Sequence, residues 1–191
     1  MSTLILRPNA ASFTAQTRSA GYNNNYEAID EATLDETDYC WVDGGGSSLT
    51  NEDIYGFPDH SSETGTINSV TVKAYCKKVI EGTDANNVTF RPAVQISSTR
   101  YYGSYNNLTA STALYSNSWA TNPATSSAWS WTNIDNLLAG DELTSHYTNK
   151  DNSVSSYCYQ LWVEVDYGAG GGGSIIHHIL TRKPFRHMLI R

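Results

Sequence analysis

The tightest constraint on this chain is a two-residue rhythm of apolar side chains. Over residues 157–167, Tyr157, Tyr159, Leu161, Val163, Val165 and Tyr167 alternate with Cys158, Gln160, Trp162, Glu164 and Asp166. An extended backbone sends successive side chains to opposite faces, so such a run reads as a strand with one face in a core. Residues 67–76 repeat the pattern through Ile67, Val70, Val72, Ala74 and Cys76, with one phase slip near Asn68. Residues 87–97 alternate through Val88, Phe90, Pro92, Val94 and Ile96, and Arg100-Tyr101-Tyr102-Gly103 follows as the returning arm of a hairpin. Shorter strands are expected over 3–7, stopped by Pro8, over 39–42, and over 53–57, stopped by Pro58. Residues 44–48, Gly-Gly-Gly-Ser-Ser, read as a loop tip.

Strands at this spacing, separated by Gly, Asn and Ser turns, predict an all-β fold: an antiparallel β-sandwich, jelly-roll-like, in residues 1–167. One short helix is expected over residues 134–139. Thr132 would cap it, Asp135 would meet the positive end of its dipole, and Ile134, Leu137 and Leu138 would form its apolar face. Gly140 would end it. Charged residues make up 16% of the chain, against about a quarter in an average domain, and Ser, Thr, Asn, Gly and Tyr take their place. That diet suits the solvent face of a β protein. No stretch approaches the roughly 20 apolar residues of a membrane span.

Three sequence stretches, in order, resemble a known set of proteins. They are Leu6-Arg7-Pro8-Asn9-Ala10, then residues 119–140 (WATNPATSSAWSWTNIDNLLAG), then Val163-Glu164-Val165-Asp166-Tyr167. Asp53-Ile54-Tyr55-Gly56 and Gly65-Thr66-Ile67 lie between them. Together they resemble the β-sandwich virion-associated proteins of tailed bacteriophages and prophages, over residues 4–167. The resemblance implies a jelly-roll-like sandwich on a virus particle and carries over no catalytic residue. Within the 119–140 block, Trp119 and Trp129 are expected to pack a long loop onto the sandwich, with the turn at Asn122-Pro123.

The C-terminal residues differ from the rest in chemistry. Residues 168–174 are a glycine-rich hinge, and residues 175–191 are apolar and basic. Arg182, Lys183, Arg186 and Arg191 carry four positive charges with no acid, while residues 1–167 hold all 19 acids against 8 bases, a net −11. Ile175, Ile176, Ile179, Leu180, Phe185, Met188, Leu189 and Ile190 supply an apolar surface. Burying about seven large apolar side chains gains on the order of 10 kcal/mol, and ordering some 17 residues costs a comparable amount. The segment is therefore expected to act as an assembly arm that needs a receiving protein surface. Four charges with one aromatic neighbour make a weak nucleic-acid signature, so nucleic acid is not the expected partner.

An acidic run could receive such an arm. Glu27, Asp30, Glu31, Asp35, Glu36 and Asp38 lie within 12 residues, with Asp43 just beyond. The run lacks the spacing of a calcium loop, so its readings are a solvated face or a dock for a neighbour's cationic arm. Cys40, Cys76 and Cys158 are odd in number and lack metal spacing. Cys76 is in phase with Val70, Val72 and Ala74 and should face the core. Cys158 is out of phase with Leu161, Val163 and Val165, which makes it the candidate for an intermolecular disulfide.

Catalysis would require a nucleophile, a base and an orienting group brought together. His60 beside Asp59, and His146, are the available bases, and no nucleophile elbow, phosphate loop or zinc-protease pair accompanies them. His177, His178 and His187 fall on the arm, where adjacent extended residues point to opposite sides and share no metal. Tyr and Trp are abundant, 13 and 5 residues, so stacking on host surface glycans is a second possibility. It turns on whether Tyr101, Tyr102, Tyr105 and Trp119 line an exposed groove or fill the core.

These readings converge on a virion structural protein of a tailed phage, not an enzyme and needing no cofactor: a capsid decoration or other exterior accessory subunit. Its expected partners are the major capsid protein or neighbouring copies in a homo-oligomer. The N-terminus, MSTLILRPNAAS, carries no secretory signal, so synthesis in the host cytoplasm and residence on the virion are expected. The alternatives are a carbohydrate-binding adhesion module of a fibre or tail tip, and a subunit of an extracellular filament.

Overall fold

A computed structural model describes residues 1–83, 86–149 and 151–168. The hinge beyond Gly168 and the whole 175–191 arm, with its apolar and basic positions and three histidines, lie outside the described residues. The strands are β1 (Ser2–Leu6), β2 (Ala10–Thr14), β3 (Thr17–Arg18), β4 (Cys40–Val42), β5 (Thr50–Gly56), β6 (Ile67–Glu81), β7 (Thr89–Ile96), β8 (Thr99–Tyr102), β9 (Asn106–Asn107), β10 (Ala113–Trp119), β11 (Leu138–Thr144), β12 (His146–Asn149) and β13 (Asn152–Tyr167). A 3-10 turn occupies Asn25–Ala28, and a short helix, α1, occupies Trp131–Asp135.

The strands form two antiparallel sheets that face each other as a sandwich. The larger runs β10-β6-β13-β4-β3, with β1 and β12 also on β13. The smaller runs β2-β5-β11-β7-β8, with β9 on β7. Alternation explains the shared core. Val70, Val72, Ala74, Leu161, Val163 and Val165 enter from the larger sheet, and Tyr55, Phe90, Val94, Ala139 and Leu143 from the smaller. Trp129, Ile134 and Leu137 close one end of the same cluster. Each fully buried aliphatic or aromatic side chain contributes about 1.5–3 kcal/mol, so this interdigitated set is the main cohesive term.

Phase slips in the sequence become bulges. Ile67 pairs with Tyr167 and Ser69 with Asp166, leaving Asn68 extra and exposed, as the slip near Asn68 predicts. A second bulge lies in β13, between Cys158 and Gln160, opposite Cys76 and Tyr75. An extra residue on one strand inverts the phase beyond it. Cys158 therefore faces inward together with Leu161 and Val163, which corrects the outward placement read from unbroken alternation. Its side chain is fully buried, so a disulfide to a second chain has no access to its sulfur. Pro92 is tolerated inside β7 because it falls between the β8 and β9 pairings, where its missing N–H would have pointed; its carbonyl accepts from Gly103 N at 2.8 Å.

The helix begins earlier and ends sooner than its apolar spacing suggests. Ser130, not Thr132, is the N-cap: its hydroxyl accepts from Asn133 N at 3.2 Å, and the Asn133 side chain accepts from Ser130 N at 3.0 Å. Leu138, Ala139 and Gly140 belong to β11, where pairing to both β5 and β7 outweighs helical propensity. Gly140 is not a helix stop. It lies so close to β5 that a Cβ there would stand 1.8 Å from the Asp53 carbonyl oxygen. Gly140→Ala is therefore expected to destabilise the fold by about 3 kcal/mol or more, a backbone clash in a central strand pair. Chemical denaturation checks this, and a loss below about 1 kcal/mol would show that β5 and β11 can separate freely.

Candidate functional site

The interior holds a polar centre. Asp53 on β5 and Asp141 on β11 are register partners, both pointing into the sandwich and both fully buried. Asp53 Oδ1 accepts from Ala15 N at 2.7 Å and Gln16 N at 2.9 Å. Its Oδ2 accepts from Asn25 Nδ2 at 2.6 Å and Tyr55 OH at 2.8 Å. Asp141 Oδ2 accepts from Gln16 Nε2 at 3.0 Å. Asp141 Oδ1 and Gln16 Oε1 are both buried acceptors without a donor. Burial pushes both carboxyls up, and Asp141 is pushed well above the ordinary range because the Asp53 charge adds to its desolvation. Four donors favour the ionised form at Asp53 while Asp141 accepts a single bond, so Asp141 is the member of the pair that burial and like charge favour as the neutral acid.

Facing this centre from the larger sheet are three thiols in one row. Cys40, Cys158 and Cys76 are mutual register partners across β4, β13 and β6. Burial raises the Cys40 and Cys76 thiols, and a hydrogen bond with Cys76 together with burial raises Cys158. They are neutral packing groups at physiological pH, not nucleophiles. Among the described residues, no group of three or more His, Cys, Asp or Glu is arranged to hold a metal ion.

The acidic run is largely engaged within the chain. Glu27 accepts from Asn23 N and Asn24 N at 2.8 and 2.9 Å, capping the 3-10 turn, and those backbone bonds lower its carboxyl. Asp35 accepts from Thr37 N at 2.8 Å. Glu36 bonds Lys77 Nζ at 2.9 Å, which lowers the Glu36 carboxyl. Asp38 bonds the Tyr22 hydroxyl and holds that phenol up to about 12. Burial raises Asp30, and it raises Glu31 to about 7. The backbone around Glu31 is clamped by Arg7 and Gln160, which both donate to its carbonyl.

The histidine candidates serve structure. His60 Nδ1 lies 2.6 Å from Asp135 Oδ1, and its ring stacks on Trp131 at 4.8 Å. The pair staples the loop after β5 to α1 and lowers the Asp135 carboxyl. His146 opens β12 and pairs with Val154.

The four aromatic residues divide between two roles. Tyr101 and Trp119 pack on the core, and the Trp119 carbonyl accepts from Trp129 Nε1 at 2.9 Å. Tyr102 and Tyr105 are 37% and 60% exposed on the outer face of the smaller sheet. There the register aligns Glu52, Glu142 and Arg91 across β5, β11 and β7, beside a row of Ile54, Gly140, Ala93 and Tyr102. Arg91 pairs with Glu142 at 2.8 Å, and its guanidinium lies 3.7 Å from the Tyr102 ring centroid and 4.4 Å from that of Tyr105. Arg100 on β8 pairs with Glu52 on β5 and sits 4.5 Å from the Phe13 ring centroid. Tyr102 OH donates to Glu52 Oε1 at 3.0 Å. Contacts from β8 to β5 cross three inter-strand gaps, roughly 14 Å in a flat sheet. The two ion pairs therefore lie across this face and cover Gly140, Ala93 and Ile54, which are all buried. On the outer face of the larger sheet, a cleft of 290 Å³ is lined by Ile5, Arg7, Leu34, Tyr75, Trp162 and Glu164 among others.

Sequence reasoning missed both the polar centre and the ladder of ion pairs on the outer face of the smaller sheet. The centre leaves a trace: Asp53 shares its phase with Tyr55, and Asp141 shares its phase with Ala139 and Leu143. The ladder depends on which strands lie side by side, which no local pattern encodes.

No protein-family model matches the chain, and no curated protein matches it. Among solved structures, the chain is similar to the CBM22-1–GH10 modules of an N-terminal endo-1,4-β-D-xylanase 10B from Clostridium thermocellum, complexed with xylohexaose. The similarity has 11% identity and a TM-score of 0.44, and covers 88% of this chain and 30% of that one.

The shared proton sets a pH dependence. A carboxyl raised by folding binds its proton more tightly in the native state, so its stabilisation is full below the unfolded value near 4 and is lost as pH rises. Asp141 contributes this trend above pH ~4, and Glu31 contributes it between 4.5 and about 7. Asp141→Asn puts a permanently neutral amide in place of the second carboxyl. It should raise Tm at pH 8 by roughly 2–4 °C, about 1 kcal/mol in a domain of this size, and flatten the decline between pH 5 and 8. A lowered Tm at pH 8 would show that Asp141 is needed as an anion.

Proposed function

We propose that this chain is a structural protein of a tailed-phage particle, an exterior accessory or capsid-decoration subunit fastened by residues 175–191. One observation carries the reading: the stretches that resemble virion-associated sandwiches occupy the fold-defining places of this one. Residues 6–10 turn the chain from β1 in the larger sheet to β2 in the smaller, with Arg7 tied to the Glu31 and Ala32 carbonyls and Asn9 N bonded to Gly56 O at 3.0 Å. Residues 119–140 make a second passage between sheets, from β10 to β11 through the Trp129 plug and α1. Residues 163–167 form the end of β13, held between β1 and β6. A resemblance concentrated at such corners supports a shared architecture whose role is to build and present a surface.

In this reading the subunit carries out no catalysis, and its contacts are with the major capsid protein or with neighbouring copies. Charge favours such contacts, because an arm bearing four cations meets a body of net −11. Asp35 and Glu36 are the exposed members of the acidic run and the accessible carboxylates for it. A second reading, a carbohydrate-binding adhesion module at a fibre or tail tip, is favoured by the exposed rings on the outer face of the smaller sheet.

Quantitative mass spectrometry of purified particles tests the assignment. Decoration predicts hundreds of copies per particle, a tail-tip module predicts a few, and absence from the particles would contradict both. Removing residues 168–191 should leave a folded protein that no longer joins the particle. Native occupancy of the truncated protein would show that the body attaches on its own.

A further inference from the structure

We infer that the outer face of the smaller sheet is a binding platform for a neutral oligosaccharide. The inference rests on the reading of this chain as an exterior subunit of a particle. Among the described residues, the large apolar side chains classed as exposed include three aromatic rings: Phe13 at 45%, Tyr102 at 37% and Tyr105 at 60%. All three belong to this one face, where each lies against a guanidinium. Exposed rings scattered over a surface mean little, but three on one sheet face, at its two edges and flanking two ion pairs, mark an interaction site.

The chemistry between the rings selects the ligand class. Arg91 is paired with Glu142, and Arg100 with Glu52, so the ladder of two cations and two anions carries no net charge. An anionic or cationic ligand would have to break a pair, while a hydroxylated ligand can join one. Sugar hydroxyls both donate and accept, which matches carboxylate oxygens and guanidinium N–H groups held in fixed positions. The C–H face of a pyranose is apolar and packs on an aromatic ring, as Tyr and Trp side chains do where one end is apolar and the other wet. The rings sit on β2, on β8 and just beyond β8, at opposite edges of the sheet, so the ligand must be long enough to cross it: an oligosaccharide, not a single sugar. Nucleic acid does not fit, since a body of net −11 repels a polyanion.

The test is binding of the full chain to a panel of neutral hexasaccharides of glucan, mannan, galactan and xylan type, followed by calorimetry on any hit. Binding of at least one member is expected. Tyr105→Ala and Tyr102→Ala should each weaken it about tenfold, the loss of one stacking contact near 1.4 kcal/mol, with Tm unchanged for Tyr105→Ala. Tyr75→Ala, on the opposite sheet, should leave binding intact. The proposal is overturned if no member binds, if only sialylated or sulfated glycans bind, or if binding survives the Tyr102→Ala/Tyr105→Ala double variant. It is also overturned if that double variant abolishes self-association of the chain, which would make this face a protein contact. Detection of the chain in purified particles is a separate outcome, so loss of the glycan site leaves the assignment to the particle standing.

Discussion

One buried carboxylate organises this molecule. Asp53 ends no strand and meets no solvent, yet it accepts four hydrogen bonds from three separate segments of the chain: residues 15–16, Asn25 and Tyr55. Two of the donors are the backbone amides of Ala15 and Gln16, where the chain leaves β2 in the smaller sheet for β3 in the larger. A third is Asn25, at the start of the 3-10 turn, and the fourth is Tyr55 in the core. A buried donor without an acceptor costs about 1–3 kcal/mol, so each partner is held to Asp53 by the penalty of leaving it. The N-terminal third of the chain lacks long strands of its own, and this centre fixes it to the sandwich.

The same arrangement limits what the interior can do. Placing Asp141 against Asp53 disfavours two like charges in a dry core, and burial with the neighbouring charge pushes the Asp141 carboxyl well up. The three thiols opposite are raised by burial as well. The centre therefore resembles a polar rivet with every donor spoken for. The exposed chemistry lies outside, where tyrosines and paired charges meet on the smaller sheet.

The sequence made strands legible wherever one face is dry. β6, β7 and β13 follow from alternation, and the bulge at Asn68 follows from a visible slip. The bulge at Tyr159 did not show, because Tyr159 and Gln160 continue an apolar-polar rhythm while both pointing outward, and with it went the true direction of Cys158. The helix was misplaced because Leu137 and Leu138 suit a helix face as well as a strand, and only pairing with β5 and β7 decides for Leu138. Glu36 and Glu27 read as a free acidic surface, yet Lys77 and the Asn23–Asn24 amides claim them in three dimensions. The grouping on the outer face of the smaller sheet was invisible, since Phe13, Glu52, Arg91 and Tyr102 come from separate stretches that only the strand order β2-β5-β11-β7-β8 brings together.

The dependence on Asp53 is most directly measured by native-state hydrogen exchange of the Ala15 and Gln16 amides, with Asp53→Ala alongside the unchanged protein. The account predicts that both amides exchange only through global unfolding, and that Asp53→Ala lowers global stability by about 3 kcal/mol or more while releasing these two amides first. Fast exchange of both amides in the unchanged protein, or an Asp53→Ala variant as stable as the parent, would contradict it.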